Sequence, residues 1–143
     1  MAHLIEFSQR HPLMLAATLA AVVAVLVYEL WLRSRTGVTI AAQEAVRLIN
    51  QGATVVDVRE AARFDGGHIV DAVNIPPDEL AAKAETRLKK KRPVLLVCDT
   101  GARSGRLVGT LRKAGFDNAW SLAGGLAAWQ RDNLPLVTTR GKA

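Results

Sequence analysis

The stretch VLLVCDTGARSGRL, Val94 to Leu107, decides how the rest of the chain is interpreted. Its first four residues form a continuous apolar run, which is typical of a strand in a parallel sheet covered on both faces. The run ends in Cys98, the one cysteine among 143 residues, and a segment with helical spacing begins at Arg103. The sequence therefore predicts strand, loop and helix in succession, with the cysteine at the carboxyl end of the strand.

The same alternation continues on both sides of this stretch. Three further strands are predicted, at Ala53–Val58, Ala72–Ile75 and Ala119–Leu122, and residues 59–71 are expected to form a loop. Four helices are predicted. The first starts at an N-cap Thr39 and stops at Gly52, and the second opens at Pro76 and Pro77 and buries Leu80, Ala81, Ala84 and Leu88. The third runs from Arg103 to Ala114, and the last follows Gly124. Alternating strands and helices predict an α/β domain with a mainly parallel central sheet flanked by helices.

A long apolar segment precedes this domain. From Leu13 to Leu32 the strongly polar side chains are Thr18 and Glu29, and these 20 residues span about 30 Å as a helix. Aromatic and basic residues typical of a membrane boundary lie at its C-terminal end and just beyond it: Tyr28, Trp31, Arg33 and Arg35. We interpret residues 1–36 as a tail, a single-pass transmembrane helix and a short linker, and residues 37–143 as the domain. A cleaved signal peptide is the main alternative, although its apolar core is usually shorter and ends in an A-x-A-like site.

The charges flanking the segment predict its orientation. Arg33, Arg35 and Arg47 follow the apolar segment, whereas Arg10 precedes it. Because basic residues favour the cytoplasmic side, we expect the domain in the cytoplasm. A single cysteine excludes an intrachain disulfide, which is compatible with a reducing compartment.

Cys98 is expected to be reactive because the loop after it favours negative charge on sulfur. Amide groups at a helix N-terminus attract anions and lower the pKa of a thiol. Gly101 allows consecutive amides to curl inward, and Arg103 adds a guanidinium. We therefore predict an ionised sulfur, open to solvent, on which peptide dipoles and a guanidinium converge. The alternative is an inert cysteine, since free cysteine is among the most buried residue types.

At this point the chain resembles the rhodanese-like sulfurtransferases, over about residues 37–136. The resemblance rests on several motifs: DVRE (Asp57–Glu60), Phe64, GHI (Gly67–Ile69), Asn74 to Pro76, CDTGARS (Cys98–Ser104), Gly115 with Phe116, and LAGGLAAW (Leu122–Trp129). It implies a parallel-sheet domain whose cysteine carries sulfane sulfur as a persulfide and passes it to cyanide or a thiol. Cys98 matches the catalytic cysteine. The residues that match the substrate-binding loop are Asp99, Thr100, Gly101, Ala102, Arg103 and Ser104.

Three other polar residues of these motifs need an interpretation. Asp57 and Arg59 are expected to hold neighbouring loops as an ion pair, and His68 to be a hydrogen-bonded loop residue and not a base. Asp99 would oppose a small anionic donor such as thiosulfate if its carboxylate faced the pocket; alternatively it points to solvent. The natural donor therefore stays open.

Several function classes compete with sulfur transfer. Cysteine phosphatases and some arsenate reductases also combine a thiolate, a loop and an arginine, but their loop is one residue longer than Asp99–Ala102 and leaves more room. A rhodanese-fold module that binds a membrane or cytoplasmic protein is the second alternative. The expected partners are a small sulfur donor, a thiol acceptor, which a sulfur-relay protein could supply, and the membrane through the anchor. No cofactor, metal or nucleic acid is expected. The basic run Lys89–Arg92 is interpreted as a solvated helix end, with anionic lipid headgroups as the other candidate.

Overall fold

The computed structural model describes residues 11–36 and 38–139, and only the backbone of residues 31–36. The chain divides into two compact units, Met1–Gly37 and Val38–Ala143, and each is described by itself.

In the described part of the first unit, residues 11–36, there is one helix, α1, which runs from Pro12 to Thr36. Its segment Pro12–Leu30 meets the length and composition criteria for a membrane span, and none of that span is buried. A signal sequence near the N-terminus meets the same criteria. Arg10, on which the predicted orientation depends, lies outside the described residues, and so do the side chains of Arg33 and Arg35.

The second unit is an α/β domain built on a five-stranded sheet. Its elements are β1 (Thr39–Ile40), α2 (Ala42–Asn50), β2 (Thr54–Asp57), α3 (Ala61–Asp65), β3 (Val73–Asn74), α4 (Pro77–Arg87), β4 (Val94–Val97), α5 (Ala102–Lys113), β5 (Ala119–Leu122) and α6 (Gly125–Arg131). The strand order is β1-β5-β4-β2-β3, and all four neighbouring pairs are parallel. The predicted fold class is confirmed.

Strand β4 forms the centre of both hydrophobic cores. Val94 and Leu96 face one core, which α4 and α5 cover, whereas Leu95 and Val97 face the other, which α2 and α6 cover. All four side chains are at most 1% exposed. This burial on both faces explains the unbroken apolar run, and it fixes the residue that follows, Cys98, at the carboxyl edge of the sheet.

Three local predictions are wrong. Thr39 lies in strand β1, where it pairs with Ser121, and Ala41 is the N-cap of α2. A two-residue strand has no periodicity to distinguish it from a helix start. The segment expected to be a loop contains the short helix α3, and Ala81 is exposed on α4 because only Leu80, Ala84 and Leu88 face the core.

Candidate active site

The sulfur of Cys98 lies inside a ring of hydrogen-bond donors. The backbone amide of Gly101 lies 3.0 Å from Sγ, and the amide of Ser104 lies 3.4 Å from it. The hydroxyl oxygen of Ser104 is 3.3 Å from the same sulfur. These groups belong to the loop after β4 and to the first turn of α5, a helix of 12 residues. The predicted anion-stabilising loop is thus present around the sulfur.

The sulfur is far less open than the sequence suggested. Cys98 is only 3% exposed, so the prediction of an open thiol is wrong. Its side chain joins the hydrophobic core that α4 and α5 cover, and the start of α6 is hydrogen-bonded to the carbonyls of Cys98 and Asp99. Burial alone does not make a cysteine inert. A buried thiol stays protonated in an apolar environment, but it can ionise where hydrogen-bond donors surround the sulfur.

The donors outweigh burial in this case. Burial by itself would raise the pKa of Cys98, but hydrogen bonds from the hydroxyl and amide of Ser104 and from the amides of Thr100 and Gly101 lower it below its usual value. A hydrogen bond to the charged form favours that form. The site therefore stabilises a thiolate.

A second serine, missed by the sequence analysis, extends the donor set. Ser121 of β5 and Ser104 of α5 are both fully buried, and their hydroxyl oxygens are 2.8 Å apart. Ser104 Oγ also lies 3.2 Å from the carbonyl oxygen of Gly101. A hydroxyl carries one proton. If Ser121 donates to Ser104, the Ser104 proton is left for the sulfur of Cys98 or the carbonyl of Gly101, so β5 helps to orient a hydroxyl that contacts the sulfur.

The titration of Cys98 should reveal this donor set. A lowered pKa means that the thiolate fraction rises at a lower pH than in a free cysteine, whose pKa is about 8.5. Because the chain contains one cysteine, the ultraviolet absorbance of the thiolate reports the ionisation of Cys98. No thiol reagent has to reach the buried sulfur. Ser104→Ala removes one donor while burial remains, so we expect the pKa of Cys98 to rise in this variant. A wild-type midpoint at or above that of free cysteine would contradict the lowered pKa.

Two glycines allow the loop to close around the sulfur. Gly101 is the N-cap of α5 with a φ of +87°, and a Cβ there would lie 2.9 Å from the carbonyl oxygen of Leu122. Gly125 at the start of α6 has a φ of +59°, and a Cβ there would lie 2.6 Å from the carbonyl carbon of Asp99. Both positions combine a left-handed backbone with a close backbone approach, which glycine alone accommodates.

Helix α6 holds the loop by its backbone. The amide of Leu126 donates to the carbonyl of Cys98 at 2.9 Å, and the amide of Ala127 donates to that of Asp99 at 3.1 Å. Because these carbonyls point towards α6, the amides of the loop can point towards the sulfur of Cys98. The sequence showed the GG pair only as a turn into a helix, although two adjacent glycines before a helix are a signal of close approach.

The carboxylate of Asp99 contacts two arginine side chains. Its carboxylate oxygen lies 2.7 Å from Nη1 of Arg63, and the other oxygen lies 3.7 Å from Nη1 of Arg59. Both arginines and Asp99 line a cavity of about 530 Å³ beside the loop. The carboxylate is therefore compensated by two guanidinium groups, and Arg63, which the sequence analysis did not single out, provides the shorter contact.

The expected ion pair of Asp57 and Arg59 is present and buried. Oδ2 of Asp57 lies 2.7 Å from Nη2 of Arg59, which also donates to the carbonyl of Gly67 at 2.6 Å. The side-chain amide of Asn74 donates to the carbonyls of Asp57 and Arg59. Burial opposes the charge of Arg59, but hydrogen bonding and charge from Asp57 and Asp99 outweigh it and raise the pKa of Arg59. This cluster joins the loops after β2 and β4.

His68 is hydrogen-bonded, as expected of a loop residue. Its Nδ1 lies 2.7 Å from the carbonyl of Phe64, and the two rings stack with centroids 3.8 Å apart. Its backbone pairs with Val137.

The remaining loop residues contribute their backbone, and not their side chains, to the site around the sulfur. Thr100, Ala102 and Arg103 have exposed side chains. Among the described residues, the side chain of Arg103 makes no hydrogen bond or ion pair, so the structure does not show the expected guanidinium at the sulfur. Likewise, in the described parts of the chain the amides of Asp99, Ala102 and Arg103 have no protein acceptor. They are free to donate to an anion held next to Cys98.

These features define a class of protein: an α/β domain that holds a cysteine sulfur in an amide-lined loop at the end of its central strand. The chain belongs to the Rhodanese-like domain family, whose model matches residues 41–132.

Similar proteins agree with this assignment. The chain is 38% identical to the uncharacterized protein YibN of Escherichia coli strain K12, over 99% of this chain and 100% of that one. It is 32% identical to the thiosulfate sulfurtransferase GlpE of Actinobacillus pleuropneumoniae serotype 3, over 73% of this chain and 97% of GlpE. A crystal structure of a rhodanese-related protein from Thermoplasma volcanium matches with a TM-score of 0.63 and 31% identity, covering 69% of this chain and 96% of that one.

Proposed function

We propose that this protein is a rhodanese-type sulfurtransferase that carries sulfane sulfur on Cys98. The observation that supports this most directly is the set of donors to its sulfur, two backbone amides and a buried hydroxyl. A relative, GlpE, is named a thiosulfate sulfurtransferase and aligns with this domain over almost its whole length.

The reaction has two displacement steps. The thiolate of Cys98 attacks the outer sulfur of thiosulfate, a sulfur–sulfur bond forms, and sulfite leaves with the electron pair of the bond that breaks. Cyanide or an acceptor thiolate then attacks the outer sulfur of the persulfide and releases the Cys98 thiolate. Because the chain has no second cysteine, an external acceptor must take the sulfur.

The amide-lined loop stabilises the charge at each stage. The terminal sulfur of a persulfide lies about 2 Å beyond Sγ and carries the negative charge. The unpartnered amides of Asp99, Ala102 and Arg103 are the donors left for that sulfur, since Gly101 and Ser104 already donate to Sγ. Donors held by the fold need no reorganisation during the reaction.

The test is to detect the intermediate and its discharge. Incubation of the full-length protein with thiosulfate should add the mass of one sulfur atom to the peptide that contains Cys98. Cyanide should remove this mass and yield one thiocyanate per persulfide. Protein blocked beforehand with iodoacetamide is the control. If thiosulfate and small persulfides all fail to add sulfur, the protein is not a sulfurtransferase.

A second candidate function is a binding module whose cysteine is incidental. The 3% exposure of Cys98 favours it, because a small donor must enter a narrow loop to reach the sulfur. Absence of both persulfide and turnover in the same assay would leave this function as the better explanation.

We further propose that α1 anchors the protein as a single-pass helix with the domain in the cytoplasm. The match to YibN covers 99% of this chain and therefore includes the apolar helix. In fractionated cells the uncut chain should stay with the membrane after carbonate washing, whereas a cleaved signal sequence would release a shorter product. Protease added to right-side-out cells should leave a C-terminal tag intact, and digestion would contradict the cytoplasmic orientation.

The charge of Asp99 should tune the affinity for anionic donors. Asp99→Asn leaves Arg59 and Arg63 without their shared anion, so the potential near the loop becomes more positive. We expect KM for thiosulfate to fall about threefold at low salt and the difference to shrink as added salt screens it. Steady-state kinetics at two ionic strengths measure the change in KM. Asp117→Asn is the control, because Asp117 is exposed at the opposite edge of the sheet, before β5. An unchanged or higher KM would contradict the electrostatic role.

A further inference from the structure

The charges of the domain are divided between the two edges of its sheet. The edge where the strands begin, here called the amino edge, is marked by backbone hydrogen bonds to the carbonyls of Val38, Pro93 and Asn118. Residues 85–92 and 112–118, which lie at or next to it, include seven basic and two acidic side chains: Arg87, Lys89, Lys90, Lys91, Arg92, Arg112 and Lys113 against Glu85 and Asp117.

The carboxyl edge has the opposite sign. Residues 57–65, 75–79 and 98–106 contain six acidic and four basic side chains: Asp57, Glu60, Asp65, Asp78, Glu79 and Asp99 against Arg59, Arg63, Arg103 and Arg106. Strand β4 has four residues, so the two edges are only about 13 Å apart. The domain therefore has a positive edge and a negative edge, and Cys98 lies at the negative one.

Helix-end preferences do not account for the positive edge. Cations in a last turn offset the helix dipole, which explains Arg87, Arg112 and Lys113. The run Lys89–Arg92 lies beyond α4, which ends at Arg87, in a turn closed by a hydrogen bond from the amide of Arg92 to the carbonyl of Lys89. The run is exposed to solvent, as expected, but it follows the helix and its C-cap and is not part of the last turn.

Most of this run is available to a partner. Lys90 pairs with Glu85 at 3.2 Å and lies over the ring of Phe116, which fixes the turn against the end of α5. Lys89, Lys91 and Arg92 are exposed, and among the described residues their side chains have no ion-pair partner. A fixed turn that presents three unpaired cations is suited to an anionic surface.

The course of the chain points to the nature of that surface. Val38, the first residue of the domain, lies at the amino edge, where its carbonyl accepts from Ser121. Two positions earlier in sequence, α1 ends at Thr36. The positive edge is thus also the edge at which the polypeptide arrives from its apolar helix.

We propose that the amino edge, through Lys89, Lys91 and Arg92, binds anionic phospholipid headgroups and orients the domain with Cys98 facing away from the membrane. Each basic residue near an anionic bilayer contributes about fivefold in binding, and the attraction fades within about 8 Å. The acidic carboxyl edge is repelled by the same surface. The sulfur-carrying loop is then presented to soluble donors and acceptors. This inference rests on the proposed anchor for its orientation, but not on sulfur transfer.

The binding test uses the domain alone, residues 38–143. Both hydrophobic cores lie within it, and GlpE consists almost entirely of the corresponding region. Vesicles of phosphatidylcholine with about one third phosphatidylglycerol should retain the domain at low salt, and pure phosphatidylcholine should not. Lys89→Gln with Lys91→Gln should weaken retention about 30-fold. The matched control, Lys83→Gln with Arg106→Gln, removes the same charge elsewhere and should cost less than threefold.

Several results would overturn the proposal. Equal losses for the two double variants would mean that net charge alone drives binding, and equal retention by both vesicle types would mean that headgroup charge is not recognised. Tighter binding to single-stranded DNA than to vesicles, lost in the Lys89/Lys91 variant, would identify a different partner. Because the isolated domain lacks α1, none of these results depends on whether that helix is an anchor or on turnover.

The orientation is tested with the full-length chain in vesicles. Acetylation of Lys89 and Lys91, followed by mass spectrometry, should be severalfold slower in the phosphatidylglycerol vesicles than in phosphatidylcholine. Lys83, which pairs with Glu79 on α4, should react equally in both. Protection of Lys83 to the same extent, or protection of neither site, would contradict the proposed orientation.

Discussion

Cys98→Ser is expected to reduce sulfur transfer to the background rate and to leave no detectable persulfide. A hydroxyl at this position cannot form the sulfur–sulfur bond that carries the transferred atom. The donors around the site do not compensate, because amides that favour a thiolate leave a serine hydroxyl largely protonated at neutral pH. Thiocyanate formation and intact-mass measurement after incubation with thiosulfate report the two effects.

The fold should tolerate this change. The serine oxygen can still accept from the amides of Gly101 and Ser104, which donate to the sulfur in the wild type. We therefore expect the free energy of unfolding to change by no more than about 1 kcal/mol. A variant that stays folded and retains more than background turnover would exclude Cys98 as the sulfur carrier. Loss of binding to a partner protein in the same variant would instead support the binding-module function.

The sequence predicted the elements that have a strong local pattern. The β4 run and the β5 run were predicted with their observed bounds, Val94–Val97 and Ala119–Leu122. The buried strand β4 leaves an unbroken apolar signal, and β5 is apolar except for Ser121. Strand β1 was missed because its two residues become a strand only by pairing with β5. Helix α3 was missed because none of its five residues is buried, so it has no apolar face to recognise.

The candidate site was predicted as far as it is contiguous in sequence. Cys98 and its loop are consecutive in sequence. The helix start after a glycine was enough to predict that the loop amides stabilise negative charge on the sulfur. Ser121, Arg63 and the amides of α6 come from other segments and reach the loop only through the fold. The burial of Cys98 has the same origin, because its side chain joins a core built from residues of β2, α4 and α5. Sequence spacing contains no signal for such contacts, apart from the GG pair at residues 124 and 125.

Gly125, the second glycine of the GG pair, is the position of the second substitution with a large expected effect. Gly125→Ala is expected to lower kcat/KM for sulfur transfer by at least about 100-fold, since a displacement of about 1 Å at a catalytic site can cost that much. The new Cβ would lie 2.6 Å from the carbonyl carbon and oxygen of Asp99 and nearer still to the carbonyl oxygen of Cys98. Backbone cannot yield as a flexible side chain does, so the loop or the start of α6 must move. The left-handed backbone adds strain of about 1–2 kcal/mol for alanine.

The consequence should be visible in the chemistry of the sulfur as well as in the rate. If the loop moves, the amides of Gly101 and Ser104 withdraw from Sγ while burial persists, so the pKa of Cys98 should rise. Ultraviolet titration of the thiolate measures this independently of turnover. Gly109→Ala is the matched control, because Gly109 lies on α5 with nothing within 4 Å of its added Cβ and gains up to about 1 kcal/mol of helix propensity. A Gly125→Ala variant with the wild-type rate and thiol pKa would show that contact between α6 and the loop does not position the sulfur.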